Sequence, residues 1–281
     1  MRWQGRRESS NVDDRRGISG GQLAVGGGVI GVIALVLNLL LGGNVDPSQI
    51  PQIGGGGPAT ELSAEEQAAD EQRAKFVKVV LAETENVWNR LLGEDYPEPT
   101  LVLFREVVQS GCGSASSQSG PFYCPGDQKL YIDLSFYQEL QNRFNAPGDF
   151  AMAYVVAHEV GHHIQTLQGT SEKMARLRGQ VSKEQYNEYS VRMELQADFL
   201  AGVWAHHTQR MEKILDPDDI SEALNAANAI GDDRLQKQAQ GYIVPESFTH
   251  GTSAQRMYWF KKGYETGDIN QGDTFSATRL E

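Results

Sequence analysis

Between Gly17 and Val45 the chain carries no charged residue, and Leu23 to Leu41 is almost wholly apolar. A helix needs about 20 apolar residues to cross the hydrocarbon of a bilayer. The run therefore predicts one transmembrane helix over residues 22–41 and divides the chain in two. Arg2, Arg6, Arg7, Arg15 and Arg16 precede it. The positive-inside rule then makes residues 1–21 a cytoplasmic basic N-terminus and sends the rest across. A cleaved signal peptide wants a shorter apolar core and a small-residue cleavage site. This run ends Leu-Leu-Leu-Gly-Gly-Asn, which favours an uncleaved anchor. The expectation is a single-pass inner-membrane protein, held in the membrane through residues 22–41, with its main domain periplasmic or extracellular. Gly27 and Gly31 have the GxxxG spacing that lets two such helices pack as a homodimer.

Net charge is −12, and the first 41 residues contribute +2 of it, so the remainder stands at −14. An acidic body without a basic face excludes nucleic acid as a partner. Cys112 and Cys124 bracket a Gly- and Ser-rich loop. One disulfide in an oxidising compartment suits them best; two free thiols, or a metal pair lacking nearby partners, are the alternatives. A disulfide agrees with a domain outside the cytoplasm.

Residues 42–62, with Gly54–Gly57 followed by Pro58, read as a flexible linker. The domain then runs over 63–281. Ser63 followed by Glu66 is a capping box that opens a long helix to about Leu92. Strands are expected at Thr100–Val108 and Lys129–Leu134, and helices near 135–144, 148–168, 183–213, 217–240 and 253–266. The class is α+β, a mainly helical domain with a small sheet.

The helix over 148–168 carries His158-Glu159-Val160-Gly161-His162. Positions i and i+4 share a helix face, so both imidazoles reach one ion. Zinc suits them, and Glu159 is placed to take a proton from a water that zinc has acidified. Gln165 and Gln168 stand where a three-histidine zinc site would continue with Gly and His, which excludes that class. The other solution takes a Glu from a second helix. Glu194-Leu195-Gln196-Ala197-Asp198 offers two carboxylates one turn apart. Glu194 suits the metal, and Asp198 suits an imidazole N–H behind it. An ordinary polar helix face is the bland alternative.

HEVGH followed by ELQAD resembles the gluzincin peptidases, in particular the prenyl-protease type with its HExxH and ExxAD helices. The anchor, the Cys-Gly to Gly-Pro-Phe-Tyr-Cys-Pro loop, Tyr-Ile-Asp-Leu and Ala-His-Glu-Val-Gly-His-His are more closely similar to the bacterial neutral zinc metallopeptidase family. The resemblance implies a zincin-like fold, Zn2+ held by His158, His162 and Glu194, and a catalytic Glu159. Thr249-His250-Gly251 to Arg256 is similar to the Thr-His-Pro to Arg segment of the prenyl-protease type, with Gly251 in place of Pro. By that match His250 stabilises the oxyanion, and Arg256 supports substrate or Asp198.

His163 points away from the pair and reads as structural. Tyr154 reads as core or cleft wall. His206 and His207 read as exposed. Tyr131–Leu134 is the candidate edge strand for a peptide substrate, with the Cys loop rimming the cleft. The activity expected is zinc-dependent peptide hydrolysis on a peptide or protein of the cell envelope. A non-catalytic zinc-binding scaffold and a zinc amidase acting on envelope peptides are the alternatives.

Overall fold

The computed structural model describes residues 1–17, 62–93 and 95–281. The expected transmembrane helix over 22–41, its Gly27/Gly31 pair and all of the linker but Leu62 lie outside them. Among the described residues no helix is long and apolar enough to cross a membrane.

The elements in chain order are β1 (Val12–Asp14), α1 (Ala64–Leu92), β2 (Thr100–Phe104), β3 (Val107–Ser110), β4 (Gly113–Ser116), β5 (Phe122–Cys124), β6 (Lys129–Asp133), α2 (Phe136–Asn142), α3 (Asp149–Leu167), α4 (Thr170–Leu177), α5 (Lys183–Glu212), α6 (Asp219–Ala229), α7 (Asp232–Gln240) and α8 (Ser253–Thr266). The α+β, mainly helical class is as expected. Ser63 and Glu66 form the capping box that starts α1.

Helix α3 lies at the centre, packed on α1, α5 and α6, and α8 lies along α5. Nearly every residue of α3 is buried. A helix apolar on all faces can only be a core helix, so its polar residues sit in low dielectric. The sheet has the order β1-β2-β6-β5, parallel except for β5. Side chains alternate across it. Leu101, Leu103, Leu130 and Ile132 join the main core. Val102, Phe104 and Tyr131 face a smaller cluster with Val108 and Cys124.

Four expectations are corrected. The single strand over Thr100–Val108 breaks at Glu106, whose φ is 61°. Its N–H donates to Asp133 Oδ2 at 2.9 Å, and the chain then turns into the β3–β4 hairpin. The helix over 217–240 is two helices parted at Gly231, where a Cβ would come within 2.4 Å of the Ser253 backbone. Strand β6 is interior, between β2 and β5, so Tyr131–Leu134 is not an edge. Finally, the folded unit does not begin at residue 63. Residues 1–17 belong to it, and Val12–Asp14 pair with Leu101–Leu103 as the strand at the other margin of the sheet.

Candidate metal centre

Two close helix approaches build the site. Gly161 lies against Ala197, where a Cβ would meet the Ala197 carbonyl oxygen at 3.0 Å. The missing side chain lets α3 and α5 approach closely. On α5, Gly202 meets Phe260 of α8, and Gly263 of α8 meets Phe199, with Cβ positions only 2.1 and 2.0 Å from the carbonyl oxygens. The contacts bring His158, Glu159 and His162 of α3, Glu194 and Asp198 of α5 and Arg256 of α8 to one place.

His158 Nδ1–H donates to Asp198 Oδ1 at 2.8 Å. His162 Nδ1–H donates to Gln165 Oε1 at 2.8 Å. With both Nδ1 atoms committed as donors, the Nε2 atom of each neutral ring carries a lone pair. These lone pairs face Glu194, at 3.2 Å for His158 and 3.4 Å for His162. Three acceptors pointing at one another repel unless a cation or added protons lie between them. Ligands about 2.05 Å from a tetrahedral zinc ion stand about 3.3 Å apart, so the donor set fits Zn2+. Without a cation the alternative is extra protons. Burial opposes them, yet Asp198 and Glu194 outweigh it and raise His158 to about 10.

Behind the ligands Asp198 is fully buried and Arg256 nearly so. Arg256 donates Nε–H to Asp198 Oδ2 at 2.8 Å and Nη2–H to Oδ1 at 3.0 Å. Tyr154 Oη–H donates to Asp198 Oδ1 at 2.5 Å and accepts from Arg256 Nη2 at 3.1 Å. Burial would raise the Asp198 carboxyl, but Arg256 and His158 prevail and hold it to about 2. Each buried ion loses several kcal/mol of hydration, which only well-made contacts offset. A bidentate pair with two further donors meets that need.

An open cavity of about 680 Å³ lies over the ligands, lined by Glu159, Tyr123, Phe122 and His250 among others. The residues expected as a site are therefore brought together, including His250, which sequence proximity could not place. Its side chain is 52 % exposed, and its ring faces Asp232 Oδ1 at 3.3 Å. Asp232 Oδ2 also accepts the backbone N–H of Thr249, His250 and Gly251. Arg256 lies behind Asp198 as well as bordering the cavity.

The sequence reading missed three supports. Gln165 served there only to exclude a third histidine, yet it holds His162, and its Nε2 donates to Met193 O at 2.7 Å and Gln196 Oε1 at 3.0 Å. Tyr154 joins the Asp198 network, which its spacing one turn before His158 could have suggested. Asp232 had no local signal. His163 is structural as expected: its Nε2–H donates to Pro97 O at 2.6 Å, leaving Nδ1 to accept from Tyr123 Oη at 3.1 Å. His206 and His207 are half-buried rather than exposed, bonded to the carbonyls of Tyr264 in the last turn of α8 and of Gly267 just after it. Cys112 and Cys124 form the expected disulfide, with S–S 2.04 Å.

Two imidazoles at i and i+4 and a glutamate from a facing helix form a His₂Glu donor set that could hold one metal ion. The chain belongs to the family described as "Putative neutral zinc metallopeptidase", whose model matches residues 1–275 and so takes in the segment supplying β1. The family is zinc-dependent, and Zn2+ is the cofactor. The chain is 47 % identical to "Uncharacterized protein YpfJ" of Escherichia coli K12, over 99 % of its own length and 100 % of that protein. It is 44 % identical to "Uncharacterized protein Rv2575" of Mycobacterium tuberculosis H37Rv, over 79 % of this chain and 78 % of the other. No solved structure matches.

Proposed function

We propose that the protein is a zinc-dependent endopeptidase acting on a peptide or protein of the cell envelope. The observation that carries this reading is the convergence of His158 Nε2, His162 Nε2 and the Glu194 carboxylate at the floor of an open cavity, with Glu159 beside them. Zinc held by these three residues supplies a Lewis acid that polarises a carbonyl and acidifies water. Glu159 takes the proton of the attacking water and returns it to the leaving amine. His250 faces the same cavity and donates a hydrogen bond to the oxyanion as charge develops there. Asp198 fixes the tautomer of His158, so that its lone pair faces the metal position.

Strand β5 is the margin of the sheet and its Phe122 and Tyr123 line the cavity. An extended peptide added along that edge would present its backbone to Glu159. The disulfide ending at Cys124 supports a catalytic domain outside the cytoplasmic membrane.

The test is zinc content and peptide turnover of the full chain beside Glu159→Gln and Glu194→Ala. Glu159→Gln is expected to keep its zinc and lose at least about 10²-fold in turnover. Glu194→Ala is expected to lose zinc. A parent protein that binds no zinc, or a Glu159→Gln variant of full activity, would sink the reading.

A further inference from the structure

The five arginines that precede the apolar run all have acidic partners within the folded unit. Arg6 Nε pairs with Glu83 at 2.7 Å and Arg7 Nη1 with Glu85 at 2.9 Å; both carboxylates are 2 % exposed. Arg16, itself 8 % exposed, pairs with Asp70 at 2.5 Å and Glu71 at 2.9 Å. Arg2 reaches Asp216, and Arg15 reaches Asp13. Three of the acids, Asp70, Glu83 and Glu85, are buried residues of α1. Their cations come from the first 16 residues, joined at Asp70 by Arg105. Trp3 stacks edge-on to Phe76 of α1 at 5.5 Å. The backbone is tied as well: Leu101 N–H donates to Asn11 O and Arg15 N–H to Leu103 O, both at 2.8 Å.

These contacts need atomic proximity, and a hydrocarbon layer is about 30 Å thick. An N-terminal segment held in the cytoplasm could make none of them with a domain outside. Docking onto a second copy changes nothing, because that copy's segment would lie on the wrong side too. The exit and return points of the chain are also neighbours. Arg16 contacts Asp70, seven residues into the helix from Ser63, or about 10 Å along it. Between residues 17 and 62 the sequence holds one stretch, Leu23–Leu41, long enough for one crossing. One net crossing and the observed packing exclude each other.

We infer that residues 1–17 and 62–281 lie on the same side of the membrane. The chain leaves the folded unit beside Arg16 and re-enters it at Ser63, close to Asp70. The arginines act as folding partners of α1 rather than as a cytoplasmic retention signal. This inference is independent of the peptidase reading and is tested without activity.

The experiment is labelling of single cysteines with a membrane-impermeant maleimide in intact cells, using the full chain. Glu8→Cys marks the N-terminal segment and Tyr242→Cys the domain; both positions are exposed. Cys112 and Cys124 are disulfide-bonded and do not react. A second pair, Ser10→Cys and Glu265→Cys, guards against a local effect of either substitution. Labelling after lysis normalises each signal. Both members of a pair are expected to label alike, within about twofold, whether both react or both are protected. Reaction of the domain cysteine with protection of the N-terminal one, or the reverse, overturns the inference.

Discussion

His162 and Gln165 are joined by a 2.8 Å hydrogen bond from Nδ1–H to Oε1, and Gln165 is fully buried. Through Met193 and Gln196 the same side chain grips α5. It thus sets the His162 tautomer and ties the two ligand-bearing helices.

Gln165→Leu should weaken zinc binding about 10- to 100-fold, the range for lost outer partners of a ligating histidine. Gln165→Glu keeps an acceptor for Nδ1 and should recover most of the affinity. Competition against a chelator measures both. Parent-like affinity in the Leu variant would remove this role.

Arg256→Met leaves Asp198 buried with its main counter-charge gone. Breaking a buried pair from one side costs about 3–5 kcal/mol, so the denaturant midpoint should fall accordingly. His158 loses part of its orientation with Asp198, and zinc affinity should fall as well. A variant as stable as the parent would mean that Tyr154 and His158 satisfy Asp198 alone.

Asp232→Asn loosens the loop that carries His250. The Asp232 carboxyl lies below its ordinary value, because His250 and the backbone amides outweigh the opposing effect of burial. Its contribution is present above about pH 4 and lost as pH falls through the folded value. His250 is raised: its half-exposed ring loses some hydration against the cavity wall, and Asp232 and Glu194 outweigh that loss. Its contribution is full below about pH 6.5 and lost as pH rises through the folded value. The Tm difference between parent and variant should be widest between about pH 4 and 6.5 and shrink on both sides. A difference that does not vary with pH would show that the pair is not electrostatic.

Gly202→Ala places a methyl group 2.1 Å from the Phe260 carbonyl oxygen. Backbone has to move, and overpacking of this kind costs about 1–3 kcal/mol or more. Because α8 carries Arg256, zinc affinity should fall together with thermal stability. A stability loss with unchanged zinc binding would separate the helix contact from the site.

A chain lacking residues 1–17 uncovers the β2 edge and strips Glu83 and Glu85 of Arg6 and Arg7. It should be less stable by several kcal/mol and should associate through the bared edge. Denaturation and light scattering check this. A truncated chain as stable and monodisperse as the full one would make the segment an accessory.

What the sequence determined by itself was local. The 3.6-residue helix period puts His158 and His162 on one face of a helix, and Glu194 and Asp198 on one face of a second. That the two pairs serve one metal is what the family resemblance implies, while the capping box at Ser63 and the α+β class follow from the sequence pattern itself. The tertiary structure decided what depends on contacts distant in sequence. Gln165 becomes a support only when α3 meets α5 across Gly161 and Ala197. The edge facing the cavity is β5 rather than β6, because strand order is set by which strands pair, not by how apolar each one is. The N-terminal arginines look alike in sequence whether they retain a segment in the cytoplasm or pair with buried acids. A positive charge has no address until its counter-charge is placed, and here the fold places it on α1.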